Sequence, residues 1–263
     1  MGRSVMLRYA VLGSGSSGNS YLFTDGRVSL LIDQGYSVVE LGRRMERFSV
    51  PLSTIQAVCM THLHPDHARG IGVLSRRLPI AIYAHERMVE EQPSAMEKLG
   101  IPEGRLKTVC TSELFEVGPF SLFCFETSHD SDGSVGWYIT YGKTHLMVLT
   151  DTGSTSSTQL SLAGNADILF LEANYDEQML QCGPYPPRLK HRIASERGHL
   201  SNNQALQFLS ESGFKGEHVY FIHLSACNND PELLARQVVS KTTIPFTVCR
   251  KNHWYGPINE VQT

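Results

Sequence analysis

The sequence predicts an α/β protein built from two packed sheets with helices on their outer faces. Short apolar runs recur along the whole chain, and their length and their β-branched or aromatic content are typical of strands. Amphipathic segments with helical spacing separate these runs. Because so many strands would crowd a single sheet, two packed sheets with the helices outside are the economical arrangement.

The predicted elements follow these runs and segments in chain order. Strands are predicted at residues 6–12, 20–24, 28–32, 55–60, 79–84, 120–126, 135–141, 145–150, 166–171, 218–222 and 244–249. Helices are predicted at residues 37–47, 66–77, 86–99, 156–163, 175–182, 202–212 and 231–240.

The stretch GSGSSGNS, residues 13–20, lies between the first two predicted strands. It lacks the Lys-Ser/Thr of a P-loop and the third spaced glycine of a dinucleotide-binding fingerprint. We interpret it as a glycine-rich connection between strands, with contact between its backbone amides and a substrate as the alternative.

Length and composition favour a globular protein. The chain has 263 residues, of which 41% are hydrophobic and 19% are charged, and we expect a single domain over residues 1–263. The net charge of −3 excludes the strongly basic surface of a general nucleic-acid coat protein, but it is compatible with a local basic groove.

Cysteine spacing and hydropathy bear on the cellular compartment. The six cysteines show no C-x-x-C spacing, and several lie in apolar runs, which favours reduced core thiols over a disulfide framework. The N-terminus lacks the apolar stretch of a signal peptide, and no apolar run approaches the roughly 18 to 20 residues of a membrane span. We therefore expect a cytoplasmic protein with no membrane segment.

The segment VCMTHLHPDHARG is the most specific feature of the sequence. It places His62, His64, Asp66 and His67 in H-x-H-x-D-H spacing, a pattern that chance rarely produces. Imidazole nitrogens and carboxylates are ligands that zinc and similar divalent ions take. One ion rarely accepts four ligands from one short loop. The spacing therefore predicts two adjacent metal ions rather than four solvated polar side chains.

Several apolar runs end in histidine or aspartate. The residues at these ends are Asp33, His62, His129, Asp151 and His223. In α/β proteins, ligands and catalytic groups converge at the carboxyl ends of strands. Each residue alone has a simpler interpretation as a hydrogen-bonded strand cap, but together with the histidine-rich segment they indicate one site.

The order of these motifs resembles a known family. LIDQG, THLHPDH, SHD, LTDTG and a late HLS follow, in that order, the motif series of metallo-β-lactamase-fold hydrolases, and the resemblance spans nearly the whole chain. It implies a four-layer αββα sandwich, in which two packed mixed sheets carry helices outside. This fold agrees with the two sheets predicted from the strand pattern.

The resemblance also implies a dinuclear metal centre. The implied ligands are histidine and carboxylate side chains in two sets, His62, His64 and His129 for one ion and Asp66, His67 and His223 for the other. Asp151 is implied to bridge both ions, and Asp33 to orient a ligand without binding metal. Zinc suits these ligands best, and manganese or iron takes the same set.

Longer stretches resemble one branch of the family. GSGSSGNSYLF, EANYDEQML, GPYPPRLKHRIASERGHLSN and HLSACNND are similar to the YycJ/WalJ-like branch, which is related to tRNase Z-like and cyclic phosphodiesterase-like members. That branch is regarded as DNA nucleases with 5′-exonuclease activity. The resemblance implies a nucleic-acid substrate, whose scissile phosphorus is attacked by a hydroxide that two metal ions share.

Two copies of His-Leu-Ser predict different roles for their histidines. His223 ends the apolar run VYFI, which suits a metal ligand. His199 precedes the capping box Ser201-x-x-Gln204 and so lies ahead of a helix N-terminus, where phosphate is attracted. We predict that His199 donates a proton to the leaving alkoxide, with a backbone-bonded histidine near a helix cap as the simpler alternative. Asp66 is the second residue expected to take part in catalysis.

A basic stretch and several polar residues adjoin these motifs. The basic residues are Arg188, Lys190, Arg192 and Arg197. They are predicted either to contact the phosphate backbone of a nucleic acid or to form a solvated helix face. Polar neighbours of the motifs are candidates for supporting hydrogen bonds: Ser128, Asp130, Asn174 and Asn228. Asn228 is also a candidate for substrate binding.

Three functions are compatible with these features. The leading one is a dinuclear metal phosphodiesterase that acts on nucleic acid. Its preferred activity in this interpretation is digestion of DNA from a 5′ end. The second is a hydrolase of a small cyclic phosphodiester, thioester or lactone. His199 and the basic stretch favour phosphodiesters, because a thioester leaving group needs little protonation. The third, a binding protein with a decayed centre, is disfavoured by the complete ligand set. The sequence predicts no particular oligomeric state.

Overall fold

The computed structural model describes residues 6–256, and their strands form two mixed sheets. The strands are β1 Arg8–Gly13, β2 Ser20–Thr24, β3 Ser29–Ile32, β4 Ile55–Cys59, β5 Ala81–His85, β6 Leu106–Val109, β7 Phe115–Val117, β8 Phe120–Glu126, β9 Val135–Tyr141, β10 Thr144–Leu149, β11 Ile168–Glu172, β12 His218–Ile222 and β13 Phe246–Val248. One sheet has the order β1-β2-β3-β4-β5-β6, and the other has the order β13-β12-β11-β10-β9-β8-β7. In each sheet the last strands along the chain are parallel, β3 to β6 and β10 to β13.

The helices connect these strands. They are α1 Val38–Glu46, α2 Pro65–Ala68, α3 Ile71–Arg77, α4 Glu86–Glu91, α5 Pro93–Leu99, α6 Ser157–Gly164, α7 Glu177–Cys182, α8 Pro187–Ile193, α9 Asn202–Glu211 and α10 Pro231–Val239, with a short 3₁₀ turn at Leu52–Thr54. All predicted helices are confirmed, but those at 66–77 and 86–99 are each divided in two. Pro93 starts a new helix because it cannot continue the hydrogen bonds of α4. At Gly70, a Cβ atom would lie 2.0 Å from the carbonyl oxygen of Tyr36, so the chain passes too close for a side chain.

All predicted strands are confirmed, whereas β6, β7 and α8 were not predicted. The two strands are short, with four and three residues, which is too few for a periodic pattern to stand out. Helix α8 has the sequence PRLKHRI, which offers only Leu189 and Ile193 as apolar side chains on its surface. None of its residues is buried.

Three apolar clusters hold the layers together. The first lies between the two sheets and contains Phe23, Trp137 and Phe170. The second packs the first sheet against α1 to α5, and the third packs the second sheet against helices that include α9 and α10. The four-layer αββα sandwich predicted from the sequence is therefore confirmed.

The loops at one edge of both sheets carry unusual backbone conformations. Asp33, Asp151 and His223 follow β3, β10 and β12, and their φ angles are 58°, 53° and 58°. Left-handed φ is strained for residues other than glycine, and such strain concentrates at functional sites. The sheet edge thus brings together residues that follow parallel strands in both halves of the chain.

The state of the cysteines and the hydropathy of the helices can also be compared with the sequence. The six cysteines form no disulfide, and Cys59, Cys124 and Cys249 are buried. Within residues 6–256, no helix combines the length and the apolar character needed to cross a membrane.

Candidate metal centre and active-site cleft

The predicted ligands meet at the carboxyl edge of the two sheets. Ligand-type atoms lie within 4.8 Å of one another in four overlapping groups: His62, His64 and His129; Asp66, His67 and His223; His62, His67 and Asp151; and Asp151, Glu172, His199 and His223. The first two groups are the two predicted ligand sets. Asp151 shares a group with members of both sets, as expected of a bridging carboxylate.

The first set consists of neutral imidazoles. Burial lowers the pKa of His62 well below its ordinary value, and it lowers the pKa of His64 and takes that of His129 to about 4. Nδ1 of His129 lies 2.9 Å from the carbonyl oxygen of Gly198, which fixes the ring and leaves Nε2 toward the cluster. The neutral form is the one that binds metal.

Two buried nitrogens in the cluster have no hydrogen-bond partner. Nε2 of His62 and Nε2 of His223 are both inaccessible and unpaired, although buried polar atoms are normally satisfied. Each lies near a carboxylate: His62 is 4.0 Å from Asp151, and His223 is 3.6 Å from Asp66. Unpaired imidazole nitrogens beside carboxylates fit divalent metal ions, which take both ligand types.

Asp33 supports His67, a member of the second ligand set, without belonging to that set. Its Oδ2 lies 2.7 Å from Nδ1 of His67, and its two oxygens accept hydrogen bonds of 2.7 Å from the backbone N–H and the hydroxyl of Thr61. Asp33 is completely buried. The contact leaves Nε2 of His67 as the nitrogen for a ligand bond, which agrees with the orienting role implied for Asp33.

The glycine-rich stretch reaches this site through its side chains, which the sequence did not indicate. The amide oxygen of Asn19 accepts a 2.7 Å hydrogen bond from the N–H of Gly15, so its NH₂ group faces the cluster. That group lies 2.8 Å from Nε2 of His67 and 3.2 Å from Oδ2 of Asp66. The hydroxyl of Ser14 accepts a 2.6 Å hydrogen bond from the N–H of His223.

Glu172 is a site residue that sequence reasoning missed. It ends β11 and is completely buried, and its Oε1 lies 2.7 Å from Nδ1 of His199 and 3.1 Å from Nδ1 of His223. Burial raises the pKa of this carboxyl, but the charge and hydrogen bond of His199 outweigh burial and lower it. The sequence carries a signal for it, because Glu172 ends the apolar run ILFLE as Asp151 and His223 end theirs.

His199 lies where the capping box predicted it. Ser201 caps α9, and Gln204 completes the box. The imidazole of His199 is partly exposed in the cleft and lies 3.5 Å from Asp151. Because Glu172 accepts the hydrogen of Nδ1, Nε2 is the ring nitrogen left for a substrate.

A cleft of about 480 Å³ opens onto the cluster. The residues named from the sequence that line it are His64, Asp66, Asp151, Asn174, Arg192, His199 and His223. Lys251 adds a second cation that the sequence did not single out. Tyr185, Leu189 and Ile193 form an apolar part of the wall.

The basic stretch is not one continuous surface. Arg192 lines the cleft and forms an ion pair with Asp130, while Lys190 donates to the carbonyl oxygen of Gln181 at 2.6 Å. Arg197 donates to the carbonyl oxygen of His129 at 2.9 Å, and Arg188 is exposed outside the residues that line the cleft.

The polar neighbours of the motifs have different surroundings. Asn174 donates to the carbonyl oxygen of His223 at 2.8 Å, and Asp130 lies 3.4 Å from Nε2 of both His64 and His129. The hydroxyl of Ser128 donates to the carbonyl oxygen of Glu196 at 2.7 Å. Asn228 is completely buried and does not line the cleft, so its side chain has no access to substrate there.

Comparisons with known proteins agree with this fold. Residues 29–224 match a family model described as the beta-lactamase superfamily domain. The chain is 32% identical over 241 residues to exodeoxyribonuclease WalJ of Streptococcus pneumoniae, covering 89% of this chain and 87% of that protein. It is 32% identical over 239 residues to exodeoxyribonuclease YycJ of Bacillus anthracis, covering 89% and 88%. The crystal structure of the metallo-beta-lactamase fold protein YhfI from Bacillus subtilis superposes with a TM-score of 0.72 at 21% identity, covering 95% of this chain and 98% of that one.

Proposed function

The chain belongs to the metallo-β-lactamase superfamily and is a metal-dependent hydrolase, and from this premise we propose that it is an exonuclease that removes nucleotides from the 5′ end of DNA. Two relatives at 32% identity, aligned over most of their length, are named exodeoxyribonucleases. The observation that carries the proposal is the pair formed by Glu172 and His199 beside the ligand cluster, because it supplies a proton donor that a nuclease needs.

The donor set defines two metal positions in this proposal. His62, His64 and His129 would hold one ion and Asp66, His67 and His223 the other, with Asp151 near members of both sets. Histidine and carboxylate ligands suit zinc, and manganese or iron fits the same set. Ions bound there would lower the pKa of a water molecule and neutralise charge on the phosphoryl oxygens.

The residues of the chain perform the remaining steps. Burial raises the pKa of Asp66, but the nearby imidazoles of His223 and His67 outweigh burial and lower it, so Asp66 is ionised. It lies in the cleft and orients the attacking water. His199 donates the proton from Nε2 to the leaving 3′ oxygen, and Glu172 stabilises the cationic imidazole through Nδ1. The cleft cations, Arg192 and Lys251, contact phosphates of the strand.

A substrate panel tests this function directly. The metal-loaded protein is offered 5′-phosphorylated duplex DNA, RNA of the same sequence, a 2′,3′-cyclic nucleotide and a glutathione thioester. We expect release of nucleotides from the DNA, and loss of that release in the His199→Ala variant. Hydrolysis of the thioester alone would overturn the proposal in favour of a small-molecule hydrolase.

A further inference from the structure

Helix α8 is unusual among the described helices because it buries none of its residues. Every other α-helix between residues 6 and 256 has at least one buried side chain. Helices of globular proteins normally pack an apolar stripe against a core. The apolar side chains of α8, Leu189 and Ile193, are one turn apart and half-buried, and both line the cleft beside the metal centre.

Polar contacts set the position of α8 on the molecule. The ammonium group of Lys190 donates to the carbonyl oxygen of Gln181, and Arg192 is paired with Asp130. Neither contact involves the apolar side chains of the helix. Polar contacts therefore hold the helix in place while its apolar pair is only half-buried.

A backbone hydrogen bond ties the C-terminal end of α8 to the loop that carries His199. The N–H of His199 donates to the carbonyl oxygen of Ile193 at 2.9 Å. The helix therefore forms a wall of the active-site cleft rather than a part of an apolar core. Its apolar side chains are available to a molecule that enters the cleft.

The cleft wall combines flat or apolar surface with positive charge. Tyr185, just before the helix, adds an aromatic ring to the same wall. Arg192 and Lys251 supply the charge in the same cleft. A ligand that matches this wall carries an anionic group next to a flat, weakly polar ring, which is the chemistry of a nucleotide.

We propose that Tyr185, Leu189 and Ile193 form the subsite for the nucleobase of the terminal nucleotide. The proposal rests on the proposed nuclease function, because a phosphate at the metal centre brings the attached nucleoside into this cleft. The subsite contacts the face of the base through the aromatic ring of Tyr185 and the aliphatic carbons of Leu189 and Ile193, and every base has such a face. It therefore accepts all four bases, as stacking surfaces for single strands do.

The test removes the base from the substrate and the apolar side chains from the protein. Two 5′-phosphorylated oligodeoxynucleotides are compared, one with thymine at its 5′ terminus and one with an abasic residue there. The metal-loaded proteins are the wild type, Leu189→Ala, Tyr185→Ala and the control His191→Ala. His191 is exposed on the same helix and does not line the cleft. Thermal unfolding confirms that each variant is folded.

We expect loss of the base to raise KM for the wild type and for His191→Ala by about tenfold, within the range of base stacking on protein side chains. In Leu189→Ala and Tyr185→Ala, KM for the thymine substrate is already raised. Removal of the base then raises KM little further in these two variants. kcat for the abasic substrate is expected to be alike in all four proteins, because the subsite binds the base and does not take part in proton transfer.

Two results would count against the subsite in different ways. If the wild type cleaves both oligonucleotides with the same KM, or if the base effect persists in both variants, the nuclease function stands and the subsite is wrong. If the wild type cleaves neither oligonucleotide, the proposed nuclease function fails, and the subsite fails with it.

Discussion

Glu172 holds His199 through a contact of 2.7 Å between Oε1 and Nδ1, at the bottom of a cleft that opens onto the metal ligands. The carboxylate also lies 3.1 Å from Nδ1 of His223. One buried acid therefore orients both histidines of the repeated His-Leu-Ser sequence. The difference between the two is the second ring nitrogen, which is unpaired and buried in His223 and belongs to a partly exposed ring in His199.

The Glu172→Gln variant tests this orienting role. The amide has a single acceptor oxygen and no negative charge, so it stabilises the cationic form of His199 less well. We expect kcat for DNA to fall by about 10- to 100-fold, as for other residues that orient site histidines, with little change in KM. The matched control is Glu211→Gln, on the exposed surface of α9. An unchanged kcat in Glu172→Gln would contradict the role.

Separate substitutions distinguish the two histidines. His223→Ala removes an unpaired ligand nitrogen, and we expect the purified protein to lose metal. His199→Ala removes the proton donor, and we expect it to keep both metal ions while kcat falls by about 10²- to 10⁴-fold, the range of general acid catalysis. Metal content is measured by atomic emission. Full loss of metal in His199→Ala would reverse the two assignments.

The sequence predicts this site well where the chemistry demands particular residue types at fixed positions. The H-x-H-x-D-H segment and the strand-end residues Asp33 and His129 are found because ligand spacing and strand ends are both local patterns. Glu172 could have been found by the same pattern if glutamate had been included. Asn19 could not, because only the folded chain brings a glycine-rich connection beside Asp66. The orientation of α8 could not be predicted either, because the sequence does not show which surface an apolar pair in a charged segment faces.

Asp33 offers a test that separates folding from metal binding. Asp33→Ala leaves the buried N–H of Thr61 and Nδ1 of His67 without an acceptor, and it places alanine at a φ of 58°. We expect the metal-free protein to lose about 3 kcal/mol or more of unfolding free energy, because each unsatisfied buried group costs about 1–3 kcal/mol. Urea unfolding measures this loss, and a loss below about 1 kcal/mol would contradict the argument.

Asp33→Asn keeps the shape of the side chain and the acceptor for the backbone N–H of Thr61. Its NH₂ group then faces Nδ1 of His67, which must accept a hydrogen bond and carry its proton on Nε2 instead. A protonated Nε2 cannot bind metal. We therefore expect stability within about 1 kcal/mol of the wild type but about 10- to 100-fold weaker binding at one of the two metal positions. Calorimetric titration with zinc measures both positions.

The two ligand sets differ in the protons that they hold before metal binds. Burial leaves His62, His64 and His129 with lowered pKa values, so the first set is neutral near pH 7. Burial also acts against protonation of His67 and His223, but the nearby Asp151 carboxylate outweighs it and raises their pKa values. Metal entering the second set must displace these protons, whereas metal entering the first set need not.

We therefore expect zinc affinity at one position to rise with pH near neutrality and affinity at the other to change little. Titrations in buffers with different ionisation enthalpies count the protons released at each step. The His223→Ala variant should release fewer protons than the wild type because one protonated ligand is gone. Equal proton release at both positions would contradict the difference between the two sets.

The residues of the basic stretch are expected to differ in their contribution to DNA binding, because they lie in different places relative to the cleft. Arg192 faces the cleft, whereas Arg188 is exposed outside it. If Arg192 contacts a phosphate, Arg192→Ala should weaken DNA binding uniformly across sequences and reduce the slope of log K against log salt by about 1. Lys251→Ala should do the same, since Lys251 also lines the cleft. Arg188→Ala should keep the slope of the wild type. Fluorescence anisotropy at several salt concentrations measures these slopes, and equal slopes for Arg192→Ala and Arg188→Ala would mean that the stretch is only a solvated helix face.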